Sequence, residues 1–239
     1  MNVSLQAAYV LHRRPYSDSS LLVELFSLGQ GRQPVVARGA RKASKRGRPP
    51  LQPFLPIWAA WRGRGEVATL TGAEPRAAPL DLEGERLFCG MYLNELVMKL
   101  TPRGEPLEGL FQLYEQTLGR LGRDGALAPV LRTFELAMLE ELGYGMLLTH
   151  SADDHPVSPD AWYEYAPDQG PRPVADPGPV AVRGATLLAM AERDFSDPEV
   201  RRQALRVMRR TIDHHLDHKA LKSRELFVRR RQKSSEIQT

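Results

Sequence analysis

Apolar and polar positions alternate with the two-residue period of strands through the first eighty or so residues, and the period changes near residue 85. Five segments carry the alternation, Leu5–His12, Ser20–Ser27, Gln33–Arg38, Leu55–Trp61 and Glu66–Thr71, separated by Gly, Pro and Ser. The run LLVELF (Leu21–Phe26) is β-rich and too short for a typical helix, and GRGEV (Gly63–Val67) reads as the turn between the last two strands. Five short strands in this length predict a small closed or partly open barrel.

From Glu85 the apolar positions recur at helical spacing. Phe88, Tyr92, Leu96 and Leu100, flanked by Cys89, Leu93 and Val97, give a first helix that ends at Thr101-Pro102. Pro106 opens a second, with Leu107, Leu110, Phe111, Tyr114, Leu118 and Leu121 on one side. Pro129 lies near the start of a third, whose apolar positions nearly encircle it and predict a central place in a bundle; Gly143-Tyr144-Gly145 stops it. Residues 146–181 are Pro-rich and irregular, apart from an aromatic strand-like piece at Trp162–Tyr165. Helix returns at Gly184–Arg193, and a longer one begins with Asp197 as N-cap and Pro198 at the first helical position. The reading is an α+β chain: a barrel domain over 1–80, a helical domain over 81–239 with 146–181 as an insertion, and a frayed polar tail over 230–239.

Charge sharpens this picture. The net charge of +4 hides a split of +8 over residues 1–80, −11 over 81–198 and +7 over 199–239. Arg38 to Arg48 reads RGARKASKRGR, with six cations (Arg38, Arg41, Lys42, Lys45, Arg46, Arg48) and no acid, in a loop between two strands. Each cation that pairs with a phosphate releases condensed counterions, so such a loop suits a polyanion. With that loop, the five-stranded oligonucleotide-binding (OB) barrel is the leading fold, and an SH3-like barrel is the alternative. Trp58, Trp61 and Tyr16 lie close in sequence to Arg13, Arg14, Arg62 and Arg64, an arrangement able to stack unpaired bases. Trp58 and Trp61 are three apart, so they point to opposite faces of a strand and at least one belongs to the core.

Other chemistry is thinly represented. Neither G-x-x-x-x-G-K-[ST] nor G-x-G-x-x-G after a strand occurs, so ATP and dinucleotide cofactors are not expected. The single cysteine, Cys89, excludes an internal disulfide and a multi-cysteine metal site. His214 and His218 have the i, i+4 spacing of a metal pair but lack a third ligand, and the preferred reading is a helix end with no metal. The acid pairs Glu140-Glu141 and Asp153-Asp154 read as solvated surface, leaving a metal-dependent nuclease as a minor alternative beside a pure protein–protein adaptor. Arg132, bordering the most apolar helix, is suited to receive the carboxylate of an acidic-hydrophobic peptide, the alternative being an exposed first-turn arginine. Without a signal-peptide pattern or an apolar run long enough for a membrane span, a cytoplasmic protein is expected.

Six pieces in order resemble the RecO family of bacterial recombination mediators. They are YVLHRRPYSDSSLLVELFS (Tyr9–Ser27), VARGARK (Val36–Lys42) with LQPF (Leu51–Phe54), RGRGEVATL (Arg62–Leu70), MYLNEL (Met91–Leu96), LRTFELAMLEELGYG (Leu131–Gly145) and LKSRELF (Leu221–Phe227). The resemblance implies an OB-fold followed by a helical domain, and a nucleoid-associated, non-enzymatic role in recombinational repair by the RecF pathway. It implies binding of single- and double-stranded DNA, ATP-independent annealing, and help in loading recombinase onto DNA coated by single-strand-binding protein (SSB). Implied partners are the acidic C-terminal tail of SSB and RecR. The four-cysteine zinc module that some members carry is missing here, so the resemblance is to the zinc-free branch, with neither metal nor cofactor. The resemblance assigns DNA contact to the cations of the 38–48 segment. It assigns the tail carboxylate to Arg132, with Tyr92, Leu93 and Leu96 as walls of its pocket. For Lys222 and Arg224 it leaves open whether they touch DNA or fix the C-terminal helix.

Overall fold

The computed structural model describes residues 2–41, 50–63, 66–123 and 125–227. Its contacts divide the chain into two units, one holding residues up to Arg123 together with the segment from Leu221, the other Asp124–Ala220.

In the first unit, β1 (Asn2–Pro15), β2 (Leu21–Ser27), β3 (Gly31–Ala37), β4 (Ile57–Arg62) and β5 (Ala68–Pro75) close into a barrel ordered β1-β2-β3-β5-β4. Four of its five strand pairs are antiparallel and β3–β5 is parallel, the connectivity of the OB-fold rather than of the SH3-like alternative. The long β1 reaches both its neighbours by bending at register shifts, pairing β4 with its first half and β2 with its second. Inside lie Val10, Val23, Leu25, Val35, Ile57 and Trp61, all buried, as the two-residue alternation requires. Strand β4 resolves the two tryptophans: Trp61 is 3% exposed and belongs to the core, whereas Trp58 is 38% exposed.

Helices α1 (Gly84–Leu100) and α2 (Glu108–Leu121) belong to the same unit. Tyr9 and Phe26 of the barrel pack edgewise and tilted on Phe111 and Tyr114 of α2, with ring centroids 5.3–5.8 Å apart. Buried Asn94 of α1 donates to the Leu11 carbonyl (2.9 Å) and accepts from the Tyr114 hydroxyl (2.6 Å), joining three elements through one amide. A buried barrel carboxylate, Glu24, receives both arms of Arg103 at 3.0 Å each. Gly31, at φ +58, sits where a Cβ would fall 1.8 Å from the Glu105 carbonyl, so only glycine fits this close approach.

The second unit contains α3 (Leu127–Glu141), the strands β6 (Trp162–Ala166), β7 (Gly170–Val174) and β8 (Val182–Arg183) in a sheet ordered β7-β6-β8, then α4 (Gly184–Ala191) and α5 (Pro198–His215). The Pro-rich segment is therefore built around a hairpin, with prolines 171 and 173 on β7 at the sheet edge, where a missing N–H can be tolerated. Asp197 caps α5 as the sequence predicts, its carboxylate accepting from the Glu199 and Val200 amides at 2.6 and 3.2 Å. Both α3 and α5 place apolar faces in this unit's core, through Phe134, Met138, Val207 and Ile212 among others.

Candidate nucleic-acid interface

The barrel ladders fix which cations share one end. Across the strands, Arg14 pairs with Leu22, Leu22 with Val36, Val36 with Thr69, and Thr69 with Arg62. This row runs along a single rim, where β1, β3 and β4 end and β2 and β5 begin. The β1–β2 turn, the start of the β3–β4 loop and the β4–β5 connection therefore all leave from it. In OB barrels the β1–β2 and β4–β5 loops, with the face of strands 2 and 3, form the oligonucleotide groove.

Five cations singled out in the sequence meet on this rim: Arg13, Arg14, Arg38, Arg41 and Arg62, all exposed. They are not equivalent. Arg13 follows the inward register of Val23 and donates to the Leu51 carbonyl at 2.8 Å, so it pins the returning end of the basic loop. Arg41 donates to the Ser17 carbonyl at 2.7 Å and its amide to Ser19 at 3.0 Å, tying that loop's start to the β1–β2 turn. Arg14 and Arg62 lie on the outward register, beside half-buried Leu22, Val36 and Thr69. Tyr16, 61% exposed, stands on the same turn with the acid Asp18, and a second acid, Glu66, lies within the β4–β5 connection. Lys42, Lys45, Arg46, Arg48 and Arg64 lie outside the described residues. Trp58 sits elsewhere on the barrel, paired with Ala7 and Glu74, and the Arg76 guanidinium lies 5.8 Å from its ring centre.

The C-terminal segment has a definite task. Lys222 and Ser223 donate their amides to the Glu95 carboxylate of α1 at 3.0 and 2.8 Å, and the Ser223 hydroxyl adds a third bond at 2.7 Å. Glu95 thus caps the helical stretch 222–227 from outside it, an arrangement no spacing rule in the sequence announces. Burial alone would raise the Glu95 carboxyl, but the hydrogen bonds from Ser223, Lys222 and Lys99 outweigh it and hold it below its ordinary value. Phe227 packs edgewise on Phe88 at 5.9 Å. The Lys222 side chain is exposed and Arg224 is half-buried.

Arg132 requires a correction. It is the sixth residue of α3 rather than a first-turn residue, its side chain is 7% exposed, and its guanidinium is paired with fully buried Glu135 of the same helix. Its Nε makes no hydrogen bond. Tyr92, Leu93 and Leu96, expected as pocket walls, are buried on α1 in the first unit, whereas Arg132 belongs to the second. The histidines lie at a helix end, the reading preferred from the sequence. Helix α5 ends at His215 and His218 follows at φ +58, so the i, i+4 geometry does not hold. Glu140 accepts from Arg193 at 2.6 Å, an ion pair rather than half of a two-metal site. Among the described residues, no helix is long and apolar enough to cross a membrane.

Family models match the chain in two consecutive stretches. The family model described as Recombination protein O N terminal matches residues 1–79, and that described as Recombination protein O C terminal matches 82–225. The chain is 46% identical to the DNA repair protein RecO of Methylococcus capsulatus over 226 residues, covering 94% of this chain and 93% of the relative. Identity to the proteins of the same name is 45% in Dechloromonas aromatica, over 94% and 95% of the two chains, and 43% in Pseudomonas aeruginosa, over 95% and 96%. With both halves matched in order and nearly the whole length aligned, the chain belongs to the RecO family.

Proposed function

We propose that this protein binds DNA through the barrel rim and acts, without ATP and without catalysing a covalent step, as a recombination mediator in DNA repair. The observation that carries the reading is the ladder row Arg14–Leu22–Val36–Thr69–Arg62, which gathers the described cations at the loops an OB barrel uses for oligonucleotides. Cations at that rim lower the repulsion between two phosphate backbones, which favours pairing of complementary strands. Tyr16 offers a ring for an unstacked base at the same place. A pure adaptor gives no account of this clustering.

The finer assignments follow from family membership. The protein promotes annealing and recombinase loading on SSB-coated DNA, docks on the acidic SSB tail, and works with RecR. Arg132 is the residue assigned to the tail carboxylate. Its support is a buried guanidinium with one unsatisfied donor, Nε, and any incoming carboxylate competes with Glu135 for it. Lys222 stays a candidate DNA contact through its exposed side chain, while its backbone serves the C-terminal cap.

The test is the salt dependence of single-strand binding. At about 0.7 per neutralised phosphate, Arg14, Arg38 and Arg62 together account for about 2 in the slope of log K against log salt. Replacing these three with glutamine is expected to lower the slope by that amount and weaken binding with little regard to sequence, with thermal stability unchanged. An unaltered slope would remove the rim from the interface.

A further inference from the structure

A side-chain constellation that the proposed function does not use lies in the second unit. Asp168 sits at the tip of the β6–β7 hairpin in the left-handed region (φ +64), between Pro167 and Gln169. His214 and His215 occupy the last turn of α5. One ligand atom from each of the three falls within 4.8 Å of the other two. The His214 Nε2 is 2.6 Å from Asp168 Oδ2, and the His215 Nε2 is 4.0 Å from Asp168 Oδ1. The Tyr144 ring stacks on His215 at 4.4 Å and 24°, which fixes the imidazole. A cavity of about 230 Å³ is lined by Asp168 and His215 of the group, together with Met146, Leu147, Tyr165 and Thr211.

We propose that Asp168, His214 and His215 form a binding site for one divalent transition-metal ion of the zinc class, with the fourth coordination position open to the cavity. Two imidazoles and a carboxylate are a donor set such ions favour, leaving one position for water. Metal–ligand bonds of about 2.0–2.1 Å in tetrahedral geometry separate neighbouring ligand atoms by about 3.3 Å. The three ligand atoms, each now within 4.8 Å of the others, would move to that spacing, the 2.6 Å contact between His214 and Asp168 opening by about 0.7 Å. A cation also suits the C-terminal end of α5, where unpaired carbonyls concentrate negative potential. Bound metal would tie the hairpin tip to α5 and stabilise this unit. The site departs from the sequence expectation of no metal, because its third ligand comes from a turn 46 residues away from His214.

The test is titration of the full chain, stripped with chelator and dialysed, with Co²⁺. The expected result is the visible absorption of tetrahedral Co²⁺ at one equivalent, bleached by Zn²⁺. Zn²⁺ at about a hundredfold excess over Kd should also raise Tm by about 5–10 °C. Asp168→Asn and His215→Ala should each abolish both signals. Asparagine tolerates the left-handed backbone, so that variant removes the charge while keeping the turn. His218→Ala should retain both. Absence of the Co²⁺ spectrum in the unaltered chain, its survival in Asp168→Asn, or its loss in His218→Ala would each overturn the assignment, with circular dichroism confirming that the variants fold.

Discussion

Arg132 has an internal role that would confound any simple test of the tail-binding role proposed for it. Its guanidinium and the Glu135 carboxylate are both buried, so removing either leaves a charge without its nearest counter-ion inside the unit. Arg132→Ala is therefore expected to destabilise the protein by about 3–5 kcal/mol, read as a lower denaturation midpoint, whether or not the residue meets a partner. Replacing both charges, Arg132→Met with Glu135→Leu, should recover most of that loss, since a buried pair exchanged for apolar side chains of similar size is often near neutral. A double variant as unstable as Arg132→Ala would mean the pair is not what makes the site sensitive. Sequence placed a cation on the most apolar helix but not its depth. An arginine three residues before a glutamate reads as a surface pair unless the packing around it is known. The tryptophans show the opposite case, where strand alternation alone established that Trp58 and Trp61 part company and only the barrel decided which one turned inward.

At the scale of elements, most of the fold was legible because periodicity and punctuation are local. The five strands, the three helices between residues 84 and 141, and the Asp197-Pro198 start of α5 all lie where alternation, apolar spacing and caps put them. What sequence could not reveal are pairings across distance: the Arg14-to-Arg62 row, the hairpin within the Pro-rich stretch, and the capping of 222–227 by Glu95, 127 residues away in sequence from the Lys222 amide. That cap makes a prediction. Glu95→Gln weakens charge-assisted bonds to two amides and a hydroxyl, at about 1–2 kcal/mol. Amide exchange over 222–227 should then accelerate about 5–30-fold, with the barrel strands unaffected. Acid should act likewise. Because the folded carboxyl titrates below its ordinary value of 4.5, its contribution is fully present above that pH and is lost as pH falls through the lower, folded value. Exchange that is uniform along the chain in both experiments would rule out a local role for the cap.

For the whole molecule, the charge split matters more than the net charge. The first eighty residues and the last forty or so are basic and the stretch between them is acidic, so the DNA binding proposed above would draw on particular segments of a chain whose formal charge is only +4. A mediator needs more than affinity, because on coated DNA the phosphates are already occupied and the protein must be concentrated there by a second contact. Under the proposed reading, docking on an SSB tail would raise the local concentration of a rim that alone would bind through salt-sensitive contacts. Annealing of complementary oligonucleotides without ATP separates the two contributions. On bare strands, the unaltered protein and the Arg132→Met, Glu135→Leu variant should anneal alike, and the variant lacking Arg14, Arg38 and Arg62 should be slow. On strands coated with SSB, the unaltered protein alone should accelerate pairing, and removal of the SSB tail should bring it down to the level of the double variant. If the double variant anneals coated strands as fast as the unaltered protein, Arg132 serves only the internal pair and the tail docks elsewhere. The rim assignment would survive that result, because bare-strand annealing reads the barrel alone.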